Sequence, residues 1–180
     1  QLAMQKIAYS VLLFIVTQEL TPLLLSPTNG GQFAAILKTM NDGAVSVRDA
    51  VVKKSCIKFF RELLTQWKEP FDSSDENFRR ALLDIVCQPL IPGVLQSILC
   101  RSFNERDANQ VRIVSELSNV MLLVASIPDA KGIYAQPLSS QLQATTSLIP
   151  GALQSILTAT SPSCLEKSIL QLCKAIKQCD

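Results

Sequence analysis

The sequence predicts an all-α fold built from stacked helical hairpins. Almost every segment carries apolar residues at helical spacing, and no alternating strand pattern is sustained. A decapeptide also recurs, because the segments 90–99 and 148–157 differ only in Val94 and Ala152. Turn-forming residues and an amphipathic helical pattern follow each copy. A recurrent helical unit cannot bury its apolar face alone, so this repeat favours an α-solenoid in which neighbouring units stack.

Composition sets the limits of the interpretation. The chain has 180 residues, of which 48% are hydrophobic, and it has only 6 glycines. This is enough apolar material for a sizeable core and too much for a disordered region. The 17 basic and 15 acidic residues leave a net charge of +2. Nucleic-acid binders often carry a larger excess, so any electrostatic site must come from a local cluster.

The residue types that usually carry catalysis are missing or isolated. The chain has no histidine, which removes the commonest general base and most zinc sites. Ser97 and Ser155 recur in the decapeptide, but no acid or base accompanies them at a readable spacing. The 6 cysteines form no Cys-x-x-Cys pair, which favours buried, reduced thiols in an intracellular protein. We expect no enzyme activity, no metal and no cofactor.

The first part of the chain predicts two helices and a loop. A mostly apolar helix runs from residue 2 to about residue 19 and stops near Pro22. The segment 26–31 has the composition of a loop. A short helix over 32–41 is predicted to end at Asp42 and Gly43, because glycine is common just after a helix.

The segment 47–67 gives the clearest helical pattern. At 100° per residue its apolar side chains share one side, and they are Val52, Cys56, Phe59, Phe60, Leu63 and Trp67. The three aromatic residues among them are therefore expected to pack in the core and not to stack on bases. Lys54, Lys58 and Arg61 fall together on the opposite side.

The next segment predicts the first helix of the second hairpin. Ser73 and Glu76 have capping-box spacing and open a helix that passes through Leu82 and Val86. Pro89 interrupts this helix, and we expect a kink or break before a continuation over the segment 94–101.

The rest of the chain completes the second hairpin and forms the third. After a turn, the segment 107–127 predicts a long amphipathic helix. The cycle then repeats with a helix over 132–144 that is interrupted around two prolines, a continuation over 152–159, and a last helix over 162–178 capped by Ser161.

The chain is thus predicted to be one α-solenoid fragment, 1–180. Its approximate hairpins are 31–67, 74–127 and 131–179, with proline-kinked first helices in the second and third, and 1–19 is a helix left from a preceding hairpin. The period exceeds the roughly 40–47 residues of HEAT repeats, and the first helices carry the excess. The apolar stretch Ala8–Val16 is too short to span a membrane, and no signal peptide is expected. The chain is expected to be the end of a longer protein.

Three strings of residues resemble a known family. They are Gly43–Cys56 leading to Phe60, Asp84–Leu90, and Asp107–Gln110 with the following Val111. In this order they are similar to the carboxy-terminal region of the exportin-T family, the tRNA export receptors of the karyopherin-β superfamily. The resemblance covers residues 31–127 well and the remainder only in architecture.

The resemblance implies a HEAT-like superhelix that binds tRNA together with Ran-GTP in the nucleus and releases both in the cytoplasm. Such a receptor shuttles between nucleus and cytoplasm, contacts nuclear pore proteins, and needs no membrane. Ran is held mainly by amino-terminal repeats that this chain lacks. Two alternatives stay open: a HEAT- or armadillo-type protein adaptor without RNA, and another karyopherin with a different cargo.

Local charge defines the candidate RNA-binding residues. Lys54, Lys58 and Arg61 form a basic stripe on what should be an inner helix, and phosphate and ribose contacts are what a reader of tRNA shape needs. Lys167 and Lys174 share one side of the last helix and could extend the stripe. An ordinary solvated helix face remains the simpler interpretation of both groups.

The other basic residues have simpler expected roles. Arg112 is expected to pair with Glu116, four residues later on the same helix. The doublets Lys53–Lys54 and Arg79–Arg80, and the residues Arg101 and Arg106, are expected to act mainly as solubilising surface charge.

Overall fold

A computed structural model describes residues 2–26, 28–66, 76–127, 130, 140 and 151–178. The described residues form helices and the short connections between them, as the sequence predicts. The helices are α1 (Leu2–Thr17), α2 (Thr21–Leu25), α3 (Gly30–Val45), α4 (Ala50–Gln66), α5 (Glu76–Ile85), α6 (Ile91–Ile98), α7 (Ala108–Ala125), α8 (Ala152–Leu157) and α9 (Pro162–Gln178). A π-helical turn, Val86–Leu90, joins α5 to α6.

The contacts between helices define two groups, called rows below, which include all of these helices except α2 and α8. In the first row α1 packs against α4, α4 against α7, and α7 against α9. The second row contains α3 and the continuous helix formed by α5, the π-helical turn and α6, and these pack against each other. Contacts of α3 with α4 and of α6 with α7 join the rows, so the apolar core lies between them.

The first-row helices are amphipathic, and they form where their periodicity predicts. Phe59 and Phe60 of α4 are completely buried and meet edge to face, with ring centroids 5.5 Å apart. On α7 the buried side chains recur every three or four residues and include Val114, Leu117 and Val124. The core-packing role predicted for Phe59 and Phe60 is confirmed, while Trp67 lies outside the described residues.

Side-chain caps begin three of the first-row helices, α4, α7 and α9. Asp49 accepts hydrogen bonds from the backbone N–H groups of Val51 and Val52, and Asp107 accepts one from Asn109. The predicted Ser161 cap is confirmed by a 3.2 Å bond from the Cys164 N–H. Helix α1 ends with Glu19 in the left-handed region at φ 58°, where glycine is usual.

The end predicted for the helix over 32–41 is wrong. Helix α3 begins at Gly30, inside the predicted loop, and passes through Asp42 and Gly43 as far as Val45. Gly43 does not stop this helix, because it serves instead as the point where α3 approaches two first-row helices. A Cβ atom there would lie 2.6 Å from the Cys56 sulfur and 2.9 Å from the Tyr9 ring.

The predicted interruption of the helix at Pro89 is a π-helical turn and not a break. Pro89 lies within the π-helical turn, which accommodates a residue that cannot donate a backbone hydrogen bond. The α-helical pattern resumes at Ile91, three residues earlier than predicted, with Pro92 in its first turn. The predicted capping residue Ser73 lies outside the described residues, as does the proline-interrupted helix over 132–144 except for residue 140.

The two copies of the decapeptide use their glycines differently. Gly93 lies within α6, and a Cβ atom there would come within 2.8 Å of the Val45 side chain. Gly151 precedes α8 with φ 84°, in open space. One glycine therefore allows close helix packing and the other allows a left-handed backbone, although the sequences match.

The continuous helix of the second row has the length and the apolar composition of a membrane-spanning segment. Residues Asn77–Ile98 are long and apolar enough by composition, with a mean hydropathy of 1.5. More than half of this window, 56%, is buried inside the protein against the other helices. A core helix in a water-exposed fold meets the same criterion, so packing accounts for its composition.

Candidate nucleic-acid interface

The predicted basic stripe lies on one side of α4. Lys54, Lys58 and Arg61 are all half-buried, on the side opposite Val52 and Phe60. The ammonium groups of Lys54 and Lys58 make no ion pair with any residue that the structure describes. These two lysines are therefore the cations of the basic stripe that remain available to a ligand.

Arg61 is held by two carboxylates. Its guanidinium lies 2.6 Å from Glu62 Oε1 and 2.8 Å from Glu116 Oε2 on α7. The Glu116 oxygen is buried and makes no well-directed hydrogen bond, so its charge is balanced mainly by proximity to Arg61. Arg61 thus joins α4 to α7, and an incoming phosphate would have to compete with two acids for it.

The expected pair between Arg112 and Glu116 was wrong. Glu116 turns toward α4 and pairs with Arg61, while Arg112 is exposed. Helical spacing brings Arg112 within reach, but the half-buried position beside α4 offers the carboxylate a less hydrated cation.

The remaining two candidate residues lie on another helix of the first row. Lys167 and Lys174 are exposed on α9, and α7 lies between α9 and α4. The five candidates therefore belong to one row of helices, in two groups on separate helices. Of the five, Arg61 forms an ion pair with a neighbouring helix, through Glu116 of α7.

Lys53 has a role that differs from the expected surface charge. Its side chain is only 9% exposed. Its ammonium donates hydrogen bonds to the carbonyl oxygens of Ala44 at 3.1 Å and Val45 at 2.8 Å, at the end of α3. Burial lowers the pKa of Lys53, because the charged form loses hydration.

The buried position of Lys53 had a signal in the sequence. On a helical wheel Lys53 falls between Phe60 and Leu64, in the middle of the apolar face of α4. A cation at that place must reach acceptors, and the last carbonyl groups of α3 provide them. Lys177 makes a similar bond across elements, 2.6 Å from its ammonium to the Phe103 carbonyl oxygen.

The cysteines described by the structure are all free thiols. Cys56, Cys87 and Cys173 are buried, as predicted, while Cys100 and Cys164 are exposed. Burial raises the pKa of Cys56 to about 12 and the pKa values of Cys87 and Cys173 to about 11. Within the described residues no group of three potential metal ligands comes together.

The serines of the decapeptide are engaged with their own helices. Ser97 donates to the Val94 carbonyl at 2.7 Å, and Ser155 donates to the Gly151 carbonyl at 3.0 Å. Hydroxyl groups used in this way are ordinary helix surface features.

Comparisons with other proteins add no identification. No protein-family model matches the chain, and neither a curated protein nor a solved structure matches it significantly.

Proposed function

We propose that this chain is the carboxy-terminal part of a nuclear export receptor that carries tRNA to the cytoplasm together with Ran-GTP. The observation that carries the proposal is the successive packing of α1, α4, α7 and α9 in one row, with the second row on one side. This is the contact pattern expected of a stacked HEAT-like solenoid. The order of residues in the segments that resemble the exportin-T family supports the same assignment.

Binding in this proposal depends on shape and on dispersed phosphate contacts. Lys54 and Lys58 supply the contacts from α4, and Lys167 and Lys174 supply those from α9. Arg61 contributes chiefly by fixing α7 beside α4, because two carboxylates already share its charge. Ran-GTP and nuclear pore proteins are the further partners, and Ran is bound mainly by repeats outside this chain.

Removing the two available cations of α4 tests the proposal. Lys54→Ala with Lys58→Ala should weaken tRNA binding by the whole receptor with Ran-GTP. Each lost phosphate contact should reduce the slope of log affinity against log salt by about one. The affinity is measured by filter binding across a salt series.

A control with the same loss of charge makes the result specific. Lys38→Ala with Arg80→Ala removes two exposed cations from the second row and should leave the salt slope unchanged. Equal slopes for the two double variants would contradict the proposed interface. Equal competition by an unrelated structured RNA would favour another karyopherin.

A protein adaptor is the second candidate, and one feature of α1 favours it. Four large apolar side chains form a stripe on its free side, and they are Met4, Ile7, Val11 and Phe14, which are 72%, 59%, 51% and 59% exposed. Their spacing of three and four residues is that of a helix face that packs on another helix. Exposed apolar area of this kind marks an interaction surface.

The apolar stripe on α1 can be tested as an interaction surface. We expect the isolated chain to self-associate through this stripe, and Ile7→Lys with Phe14→Lys should make it monomeric. Sedimentation velocity over a concentration series measures this change. If association persists in the double variant, the stripe is not the contact. An adaptor further predicts that the Lys54 and Lys58 variants bind tRNA as the parent chain does.

A further inference from the structure

A cleft of about 560 Å³ opens between the loop that joins α3 to α4 and the loop that joins α6 to α7. Its volume lies within the range of small-molecule binding sites, roughly 300–1,000 Å³. One wall is apolar and is formed by Ile98, Phe103 and Ile113. The cleft is separate from the basic stripe, because it involves the buried side of α4.

The charges along the cleft are all positive. Lys53 and Arg48 line it, and none of the described residues that line it is acidic. Of the acids close to the cleft along the chain, Glu105 does not line it but has a buried carboxylate oxygen, Oε2, that accepts no hydrogen bond from the described residues. The other two are engaged elsewhere. Asp49 pairs with Lys6 at 2.5 Å and caps α4, and Asp107 caps α7 and accepts from Gln110.

Polar donors stand beside these charges. The Lys53 ammonium has three N–H groups, and the carbonyl oxygens of Ala44 and Val45 account for two of them. Ser46 and Ser102 are exposed and line the same cleft, and the Ser102 hydroxyl lies 3.0 Å from the Cys100 sulfur. An oxyanion placed here would gain charge-assisted hydrogen bonds, would accept from the third N–H of Lys53 and would balance its buried charge.

We propose that the cleft binds a small organic oxyanion, with its phosphate or carboxylate group between Lys53 and Arg48 and its apolar body against Ile98, Phe103 and Ile113. The two cations provide the affinity for the charge. The apolar wall selects a ligand that is larger than a free inorganic ion. This site is independent of the proposed tRNA interface.

Two exposed thiols allow a direct test. Cys100 lines the cleft, whereas Cys164 is exposed on α9 and does not line it. Phenyl phosphate is the probe, and alkylation of each cysteine by iodoacetamide is followed by mass spectrometry. A saturating probe should slow alkylation of Cys100 about tenfold and leave Cys164 unchanged, because bound ligand covers only the first thiol.

Matched ligands and variants sharpen the result. Inorganic phosphate should protect Cys100 only at higher concentration, and phenol should not protect it. Arg48→Ala should raise the probe concentration for half protection about tenfold, in line with the loss of a charged hydrogen bond. Lys38→Ala removes an exposed cation of α3 that does not line the cleft, and it should leave the concentration for half protection unchanged.

Three results would overturn the proposal: equal slowing of Cys100 and Cys164, protection by phenol as strong as by phenyl phosphate, or no effect of Arg48→Ala. Lys53→Met should also abolish protection. Because Lys53 holds the end of α3 as well, the Arg48 variant carries the test if that protein fails to fold.

Discussion

Replacing Gly43 by valine is expected to lower the free energy of unfolding by about 3 kcal/mol, because no space exists for a side chain at that position. A Cβ atom would lie 2.6 Å from the Cys56 sulfur and 2.9 Å from two atoms of the Tyr9 ring. Cys56 is completely buried and Tyr9 is 7% exposed, so neither side chain has room to move away. Urea unfolding followed by far-UV circular dichroism measures the loss.

A second glycine of the same helix is the matched control. At Gly31 no atom lies within 4 Å of the position that a Cβ would take, so alanine there should gain up to about 1 kcal/mol from its better helix propensity. Gly43→Ala combines the same propensity gain with overpacking and should be destabilising. Similar effects of alanine at the two positions would contradict the close approach.

The contact at Gly43 also predicts coupling with Cys56. Cys56→Ala removes the sulfur atom that an added Cβ would strike. The cost of Gly43→Ala should therefore be smaller in the Cys56→Ala protein than in the parent chain. Such non-additivity is expected only between residues in contact, and a double-mutant cycle measures it.

The long helices could be predicted from the sequence because their apolar faces repeat clearly. The segment 47–67 corresponds to α4, and the segment 107–127 corresponds to α7. Periodicity reports which side of a helix is buried, and burial is a property that every turn of a helix repeats. It does not report which neighbour covers that side.

The features that sequence reasoning missed all depend on a neighbour. Gly43 looks like a helix stop until α1 and α4 are placed against it. Arg61 looks like a free cation until α7 brings Glu116 to it. The cleft at Lys53 joins two loops that are far apart in the chain, so no local pattern indicates it.

The buried thiols make stability depend strongly on alkaline pH. Cys56, Cys87 and Cys173 are at most 2% exposed. Burial raises their folded-state pKa values to about 12, 11 and 11, from an ordinary value of 9.0. Above pH 9 the unfolded chain therefore loses thiol protons that the folded chain keeps, and stability falls as pH rises.

The expected size of this effect is large. Each thiol costs about 1.4 kcal/mol per pH unit between its unfolded and folded pKa values. Three thiols should thus remove on the order of 4 kcal/mol between pH 8 and pH 10, a large part of the stability of a typical domain. Urea midpoints measured across this range test the prediction.

Two other titratable groups also make stability depend on alkaline pH, in opposite directions. The pKa of Tyr9 is raised, mainly by burial, so its ionisation adds to the alkaline loss. The pKa of Lys53 is lowered by burial, so the unfolded chain binds more protons there and stability rises with pH at that site. Lys53→Met should therefore steepen the alkaline loss, provided that the variant folds.

Substitution of one thiol isolates its contribution. Cys87→Ala should lower stability at pH 7 through lost packing, but its stability should then fall less between pH 8 and pH 10, by roughly 1 kcal/mol. Cys164→Ala is the control, because that thiol is exposed and its removal should leave the pH dependence unchanged. If the Cys87 and Cys164 variants lose stability in parallel above pH 9, burial of the thiol is not the cause of the alkaline transition.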